Sequence, residues 1–305
     1  MGENIVYNSR HVSVLGKEVC FWLIFQRAMT ILDCTVGYGG HAELLLESCF
    51  PGTTVIGLDR DSKAIDFCRQ RLIRFRERVV LLRGNHRDLK RHLAEAGVSE
   101  VDGVLFDFGV SSPQLDDPAR GFSFQQEGPL DMRMDQATGM TAAELVNSSQ
   151  EGELADIIFK YGEERYSRRI ARAIVRARAR LPIKTTGALA SVIAGAVPSS
   201  YRHGRIHCAT RTFQALRIWV NRELDDIDEF LKVMARHLKT GARLVVITFH
   251  SLEDRIVKHT LRALAPRDGG PLRILTKKPI TPQPDELERN PRARSAKLRA
   301  AECVV

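Results

Sequence analysis

The chain has 305 residues, 44% hydrophobic and 27% charged, the balance of a globular protein with apolar surface for one large domain or two ordinary ones. Its longest uninterrupted apolar stretch, Val19–Phe25, is far below the ~18 residues of a membrane span, and no apolar signal core precedes it. Membrane-spanning, secreted, collagen-like and disordered classes are therefore set aside, and a net charge of +9 suits a polyanionic partner.

In chain order, Met29–Thr35 is a short apolar run that ends in Gly37, Gly39 and Gly40, and helical spacing follows over HAELLLES. Thr53–Asp59 predicts a second strand, with a helix from Asp61 to about Phe75. Val79–Gly84 and Gly103–Gly109 predict a third and a fourth, separated by a helix near Asp88–Ala96. Strands divided by short helices mean βαβ units and a doubly wound parallel sheet, with its ligand at the carboxyl ends of the strands. Residues Ser111–Asp135, rich in Gly, Pro, Asp and Ser, read as a long functional loop. From Thr141 the pattern is helical: a capping box at Thr141-x-x-Glu144, then helices near Glu151–Tyr161, Ser167–Arg180 and Thr185–Val197. Apolar residues from Phe213 to Leu238, three or four apart, predict one long helix of core packing. Ala242–Phe249 returns to strand, and Ser251-x-x-Asp254 is expected to cap another helix. The expectation is an α/β domain in two parts, residues 1–112 and 210–305, interrupted by a loop and helical insertion over 113–209.

Six scattered cysteines without metal-ligand spacing point to a reducing compartment, with the cytoplasm as default location and no metal site. Glycines between a strand and a helix let backbone approach an anionic ligand, and Asp59, about 20 residues on, stands where an acid bonds ribose hydroxyls. Gly37-x-Gly39-x-x-Ala42 also satisfies a loose dinucleotide fingerprint, so a nicotinamide oxidoreductase stays open. Asp107 and His250 close two further strands; Asp107 reads as functional, His250 equally as functional or structural. Seven arginines and no acid between Arg165 and Arg180 suggest a phosphate-tracking stripe of Arg168, Arg169, Arg172, Arg176 and Arg180, a solvated face being the alternative. Phe122 and Phe124, with Arg120 beside them, offer base stacking or domain filling.

DCTVGYGGHA, LDRD, DGVLFDFGVSSPQLDDPARGFSFQQEGPLDMRMD, RRIARAIVRAR, CATRTFQALRIWVNREL, VVITFHSLEDRIVK and NPRARSAKLR together resemble the bacterial 16S ribosomal RNA cytosine-N4 methyltransferases, the RsmH/MraW family. The likeness runs from His11 to about Ala300. It implies a Rossmann-like class I methyltransferase sheet that uses S-adenosylmethionine, and a helical insertion that helps to recognise RNA. The implied target is a cytosine of the small-subunit decoding centre. Position by position, Gly39, Gly40 and His41 match the family's GGH cofactor loop and Asp59 its ribose-binding acid. His86, Asp107 and Gln114 match three further cofactor contacts. His86 stands where the family usually has Phe, and Ala42 where it has Ser. The chemistry of amine methylation makes Asp107 the candidate catalytic acceptor for the N4 hydrogens. A non-catalytic RNA-binding or assembly protein on the same fold is the other alternative. Monomer and homodimer both remain open, and the C-terminal NPRARSAKLR could embrace RNA or fold back near the cofactor.

Overall fold

Apolar runs too short for helices build the first strands, and three of them close on an aspartate, at Asp33, Asp59 and Asp107. The computed structural model describes residues 13–26, 28–85, 88–204, 206–266 and 269–305. Its strands are β1 (Thr30–Asp33), β2 (Thr54–Asp59), β3 (Val79–Arg83), β4 (Val101–Asp107), β5 (Leu238–Thr248), β6 (Leu272–Ile274) and β7 (Lys297–Cys303). They form one seven-stranded sheet in the order β3-β2-β1-β4-β5-β7-β6. The first five are parallel, and β7 runs antiparallel between β5 and β6. Strands covered on both faces read as near-continuous apolar runs, and β4 is buried from Val101 to Phe106 without alternation. Its one charged member there, Asp102, accepts from Thr30 N at 2.7 Å and pairs with Lys239 at 3.0 Å.

The chain divides into two units, Met1–Gly109 with Asp226–Val305, and Val110–Asp225. The first holds the sheet. Its core gathers Leu15, Leu23, Ile31, Leu45, Val55, Leu105, Val245 and Leu298. The second is helical, over Ala142–Ser148, Glu151–Gly162, Ser167–Arg178, Thr186–Ala196, Ser199–Arg202 and Thr210–Asn221. Its own core joins Leu145, Leu154, Ile158, Ile170, Ile174, Ile193, Phe213 and Leu216.

Both expected domain boundaries differ from these divisions, 112/113 by a few residues and 209/210 by a whole helix. Phe213 and Leu216 bury themselves among Leu154, Ile158 and Ile174, so helix Thr210–Asn221 belongs with the insertion. The long helix expected from Phe213 to Leu238 is in fact two, Thr210–Asn221 and Ile227–Ala235. Arg222 (φ 52°) and Asp226 (φ 62°) adopt left-handed backbone between them, which ends a right-handed helix despite continuous apolar spacing. The C-terminal segment departs further from expectation. Lys297–Cys303 is an interior strand, and the Arg299 guanidinium, itself buried, bonds Asp254 at 2.7 Å. Lys297 pairs with the same carboxylate at 3.3 Å, whereas Arg292 and Arg294 are exposed.

The expected loop over Ser111–Asp135 is ordered by its own side chains. Ser111 and Gln114 cap helix Ser112–Asp116 reciprocally. Arg120, 3% exposed, donates to the Met134 carbonyl at 2.8 Å and to that of Arg133 at 3.1 Å, so it clasps the loop rather than facing a base. Phe122 is likewise core, while Phe124 is half-buried against His207 and Phe213. Asn221 closes the clasp: its side chain accepts from Met134 N and donates to the Met132 carbonyl, both at 2.7 Å. Gly121 makes the turn possible, with φ 71° and a virtual Cβ only 2.2 Å from the Pro129 carbonyl oxygen. Gly121→Ala is therefore expected to cost about 3 kcal/mol, read as a lower urea midpoint at unchanged slope.

Candidate active site

The order of the sheet reverses at β1, which pairs with β2 on one side and β4 on the other. Ligands of open parallel sheets bind at such a switch point, beyond the carboxyl ends of the strands. Of the parallel strands that end at this edge, the three around the switch point each close on an acid: Asp33 on β1, Asp59 on β2 and Asp107 on β4.

Between β1 and the next helix the chain turns through Gly37 (φ 51°) and Gly39 (φ 79°), conformations that side-chain-bearing residues rarely take. At Gly39 space adds to the constraint, since a Cβ would stand 2.8 Å from Cys68 Sγ. Helix Gly40–Ser48 begins there without a side-chain cap, so its first N–H groups are available to a carboxylate or phosphate. Asp59 braces the turn, accepting from Gly37 N and Asp61 N, both at 2.9 Å. Each carboxylate oxygen keeps a second lone pair for a ribose hydroxyl. Thr35 Oγ1 accepts from Asp107 N at 2.7 Å and ties the loop to the end of β4.

Burial dominates the electrostatics of the edge. It pushes the Asp33 carboxyl up to about 7, against the Thr35 N–H and with a further push from Asp59. Burial also holds Asp59 above its ordinary value, although the N–H groups of Asp61 and Gly37 oppose this. Asp107 is raised well above the usual range by burial, then by the charges of Asp33 and Glu253. Asp33 Oδ2 and Asp107 Oδ1 are buried and accept no hydrogen bond among the described residues. Two such oxygens are costly unless a cation or donor completes them.

His41 lies beside this pair and is 7% exposed. Its Nε2 stands 2.8 Å from the Val14 carbonyl, an acceptor only, so Nε2 carries the proton and donates. Nδ1 is left 3.6 Å from Asp107 Oδ2, beyond a hydrogen bond but near enough to favour a proton between the two groups. Gly39, Gly40, His41, Asp59 and Asp107 thus gather at one edge. Gln114 belongs to the other unit, where it is buried and its Oε1 accepts from Ser111 N at 3.1 Å. His86 lies outside the described residues. His250 is the N-cap of helix Ser251–Leu264, taking the place expected for Ser251: Nδ1 accepts from Glu253 N at 3.4 Å, and Glu253 returns a bond to His250 N. Asp33 was not among the sequence candidates, although TILD ends as TVIGLD and VLFD do, with an acid after an apolar run.

The donor set fits S-adenosylmethionine. Its sulfonium and ammonium would offset the cost of the buried, unpaired oxygens at Asp33 and Asp107, its ribose would meet Asp59, and its carboxylate would suit the open helix N-terminus. The helix N-terminus alone would equally take the pyrophosphate of a nicotinamide dinucleotide. In the helical unit, Arg168, Arg169, Arg172, Arg176 and Arg180 are all exposed, whereas Arg178 turns in to the Val146 carbonyl at 2.7 Å. Of the exposed five, Arg172 pairs with Glu151 at 3.3 Å. No helix among the described residues is long and apolar enough to cross a membrane.

A Rossmann-like sheet whose switch point offers glycine turns, strand-end acids and buried unpaired carboxylate oxygens defines a methyltransferase domain that takes S-adenosylmethionine. Residues 8–304 match the family model described as the MraW methylase family. The chain belongs to that family, and the oxidoreductase reading gains no support from the match. It is similar to proteins named ribosomal RNA small subunit methyltransferase H from several bacteria. That of Pelobacter propionicus is 50% identical over 307 residues, covering 96% of this chain and 98% of the relative. That of Synechococcus elongatus is 50% identical over 295 residues, covering 97% and 95%. That of Sorangium cellulosum is 52% identical, covering 97% and 91%.

Proposed function

We propose that this protein methylates the exocyclic N4 of a cytosine in small-subunit ribosomal RNA, near the decoding centre, in the cytoplasm. The observation that carries the chemistry is the pair of buried, unpartnered carboxylate oxygens on Asp33 and Asp107 at the switch point. The full-length likeness to relatives named for small-subunit ribosomal RNA supports the substrate.

When bound, S-adenosylmethionine supplies a methyl group already activated by its sulfonium. What remains for the protein is to position a poor nucleophile, since the N4 lone pair of cytosine is delocalised into the ring. A carboxylate that accepts an N4 hydrogen favours the pyramidal amine and stabilises the positive charge that grows on nitrogen. Asp107 has the free oxygen for this role, and a cation beside it would return the carboxyl toward its ionised form. Methylation would make one N4 proton acidic, and Asp107 would take it. His41 Nδ1, 3.6 Å from Asp107 Oδ2, stands near enough to share that proton once Asp107 has taken it. The target base must be unstacked to reach the donor, so splayed single-stranded RNA is the form recognised.

The test is transfer of label from S-adenosylmethionine to unmethylated small ribosomal subunits, with the modified nucleotide mapped. Label on N4 of one decoding-centre cytosine is the expected result. Cofactor binding without label on any small-subunit RNA would overturn the substrate, and absence of both would favour a non-catalytic RNA-binding protein.

A further inference from the structure

The helical unit contains a cavity that the methyl-transfer site does not use. It has a volume of about 410 Å³ and is lined by Arg165, Ser200, Tyr201, Gly204, His207 and Arg211. These residues come from three places: the turn after helix Glu151–Gly162, the short helix Ser199–Arg202 with its following loop, and the start of helix Thr210–Asn221.

The wall is built around a buried carboxylate. Glu164 is fully buried; its Oε1 accepts from Tyr166 N at 2.9 Å, and its Oε2 accepts the Tyr201 hydroxyl at 2.5 Å. Burial, then that bond to Glu164, pushes the Tyr201 phenol up to about 12, so it stays a neutral donor. With its hydroxyl engaged, Tyr201 presents its ring, and Tyr166 packs on it edge-on at 4.9 Å. The Arg165 guanidinium lies over both rings, 4.8 Å and 4.9 Å from their centroids. Stacking of this kind fixes the plane of the fork and leaves its N–H edges for an acceptor.

Among the described residues, the Arg211 guanidinium makes one hydrogen bond, to the Glu163 carbonyl at 3.4 Å. Neither Arg165 nor Arg211 pairs with a carboxylate among the described residues. Exposed His207 accepts from Ala209 N through Nδ1 at 3.2 Å, which makes Nε2 the N–H nitrogen of the neutral ring. Its ring lies 4.6 Å from that of Phe124, tilted by 31°. The cavity therefore combines two uncommitted cations with flat rings held in place, and its volume suits a ligand of nucleotide size.

We propose that this cavity binds one unpaired nucleotide of the RNA substrate, its phosphodiester between Arg165 and Arg211 and its base against the rings of the wall. This rests on the ribosomal RNA reading given above and extends it to a second contact, distinct from the methylated base. Arginine in forked geometry is the usual partner of phosphate oxygens, and base–ring stacking is sequence-tolerant. Continuity of charge favours an RNA strand over a free nucleotide. Arg165 stands two residues before helix Ser167–Arg178, whose exposed Arg168, Arg169 and Arg172 extend the positive surface.

The experiment measures binding of a short fluorescein-labelled single-stranded RNA to the full-length protein across a salt series. Alongside it run S-adenosylmethionine affinity, melting temperature and KM for small subunits. Arg211→Gln and Arg165→Gln are each expected to weaken RNA binding by about tenfold and to lower the log–log salt slope by about 1, with cofactor affinity unchanged. Should Arg165→Gln disturb the tyrosine stack and fail to fold, Arg211→Gln, on an exposed position, carries the test alone. Wild-type RNA affinity and salt slope in Arg211→Gln would overturn the cavity while leaving methyl transfer standing. An equal loss on duplex RNA would overturn the unpaired nucleotide. A wild type that methylates no ribosomal subunit, yet loses RNA on Arg211→Gln, would leave the cavity and overturn the ribosomal reading.

Discussion

Asp107→Ala is expected to reduce methyl transfer by about 10³-fold or more in single turnover, because it removes the acceptor for the N4 hydrogens. Asp107→Asn separates charge from shape. The amide keeps the size and one acceptor oxygen but takes no proton, so a comparable loss supports the charge-based role. A near-normal rate in Asp107→Asn would show that positioning alone suffices. The direction of the pH effect follows from the same group. Burial and the neighbouring acids raise the Asp107 carboxyl, so its ionised form is lost on acidification sooner than an ordinary aspartate would be. The rate should therefore fall as pH drops, and Asp107→Asn should flatten that limb.

Asp33→Asn is expected to move stability and cofactor affinity in opposite directions. Burial holds the folded Asp33 carboxyl at about 7 against an ordinary value of 3.8, so the native state holds its proton more tightly than the unfolded chain. Its contribution is intact below the lower value and is lost as pH rises through the higher one. The full gap corresponds to about 4 kcal/mol for this buried group. Without cofactor, Asp33→Asn should gain stability of that order at about pH 8 and almost none at about pH 4, read from urea titrations. Affinity for S-adenosylmethionine should fall by about 100-fold, since removing one partner of a buried charge contact costs about 2–5 kcal/mol. In the wild type, the same affinity should weaken as pH falls below about 7. A variant less stable than wild type at the higher pH would mean that Asp33 is already compensated within the fold.

Much of the site was legible because its signals are short in range. The glycine turn at Gly37–Gly40, the strand ends at Asp59 and Asp107, and the capping box at Thr141 each depend on a few consecutive residues and their local sterics. The Thr141 box forms as expected, with Thr141 Oγ1 accepting from Glu144 N at 3.1 Å and Glu144 returning a bond to Thr141 N at 2.7 Å. Asp33 carries the same strand-end signal as its two neighbours, but a strand-end acid commonly just caps the following turn, and its burial, a tertiary property, is what sets it apart. The helix break at Arg222 was hidden because apolar spacing persists across it, and left-handed backbone leaves no mark in a hydrophobic pattern.

Taken alone, the amino-acid sequence determined the alternation of strands and helices, the turn that presents backbone to a ligand, the insertion of helices into an α/β unit and the stripe of exposed arginines. Only the tertiary structure decided which charges are costly. Asp33 and Asp107 are far apart along the chain and become neighbours because β1 pairs with β4. Arg299 passes from a basic tail into the sheet because β7 pairs with β5. Arg120 and Phe122 leave the set of RNA contacts because the loop folds over them. Desolvation is set by everything that surrounds a group once the chain has closed, and no local pattern carries that information.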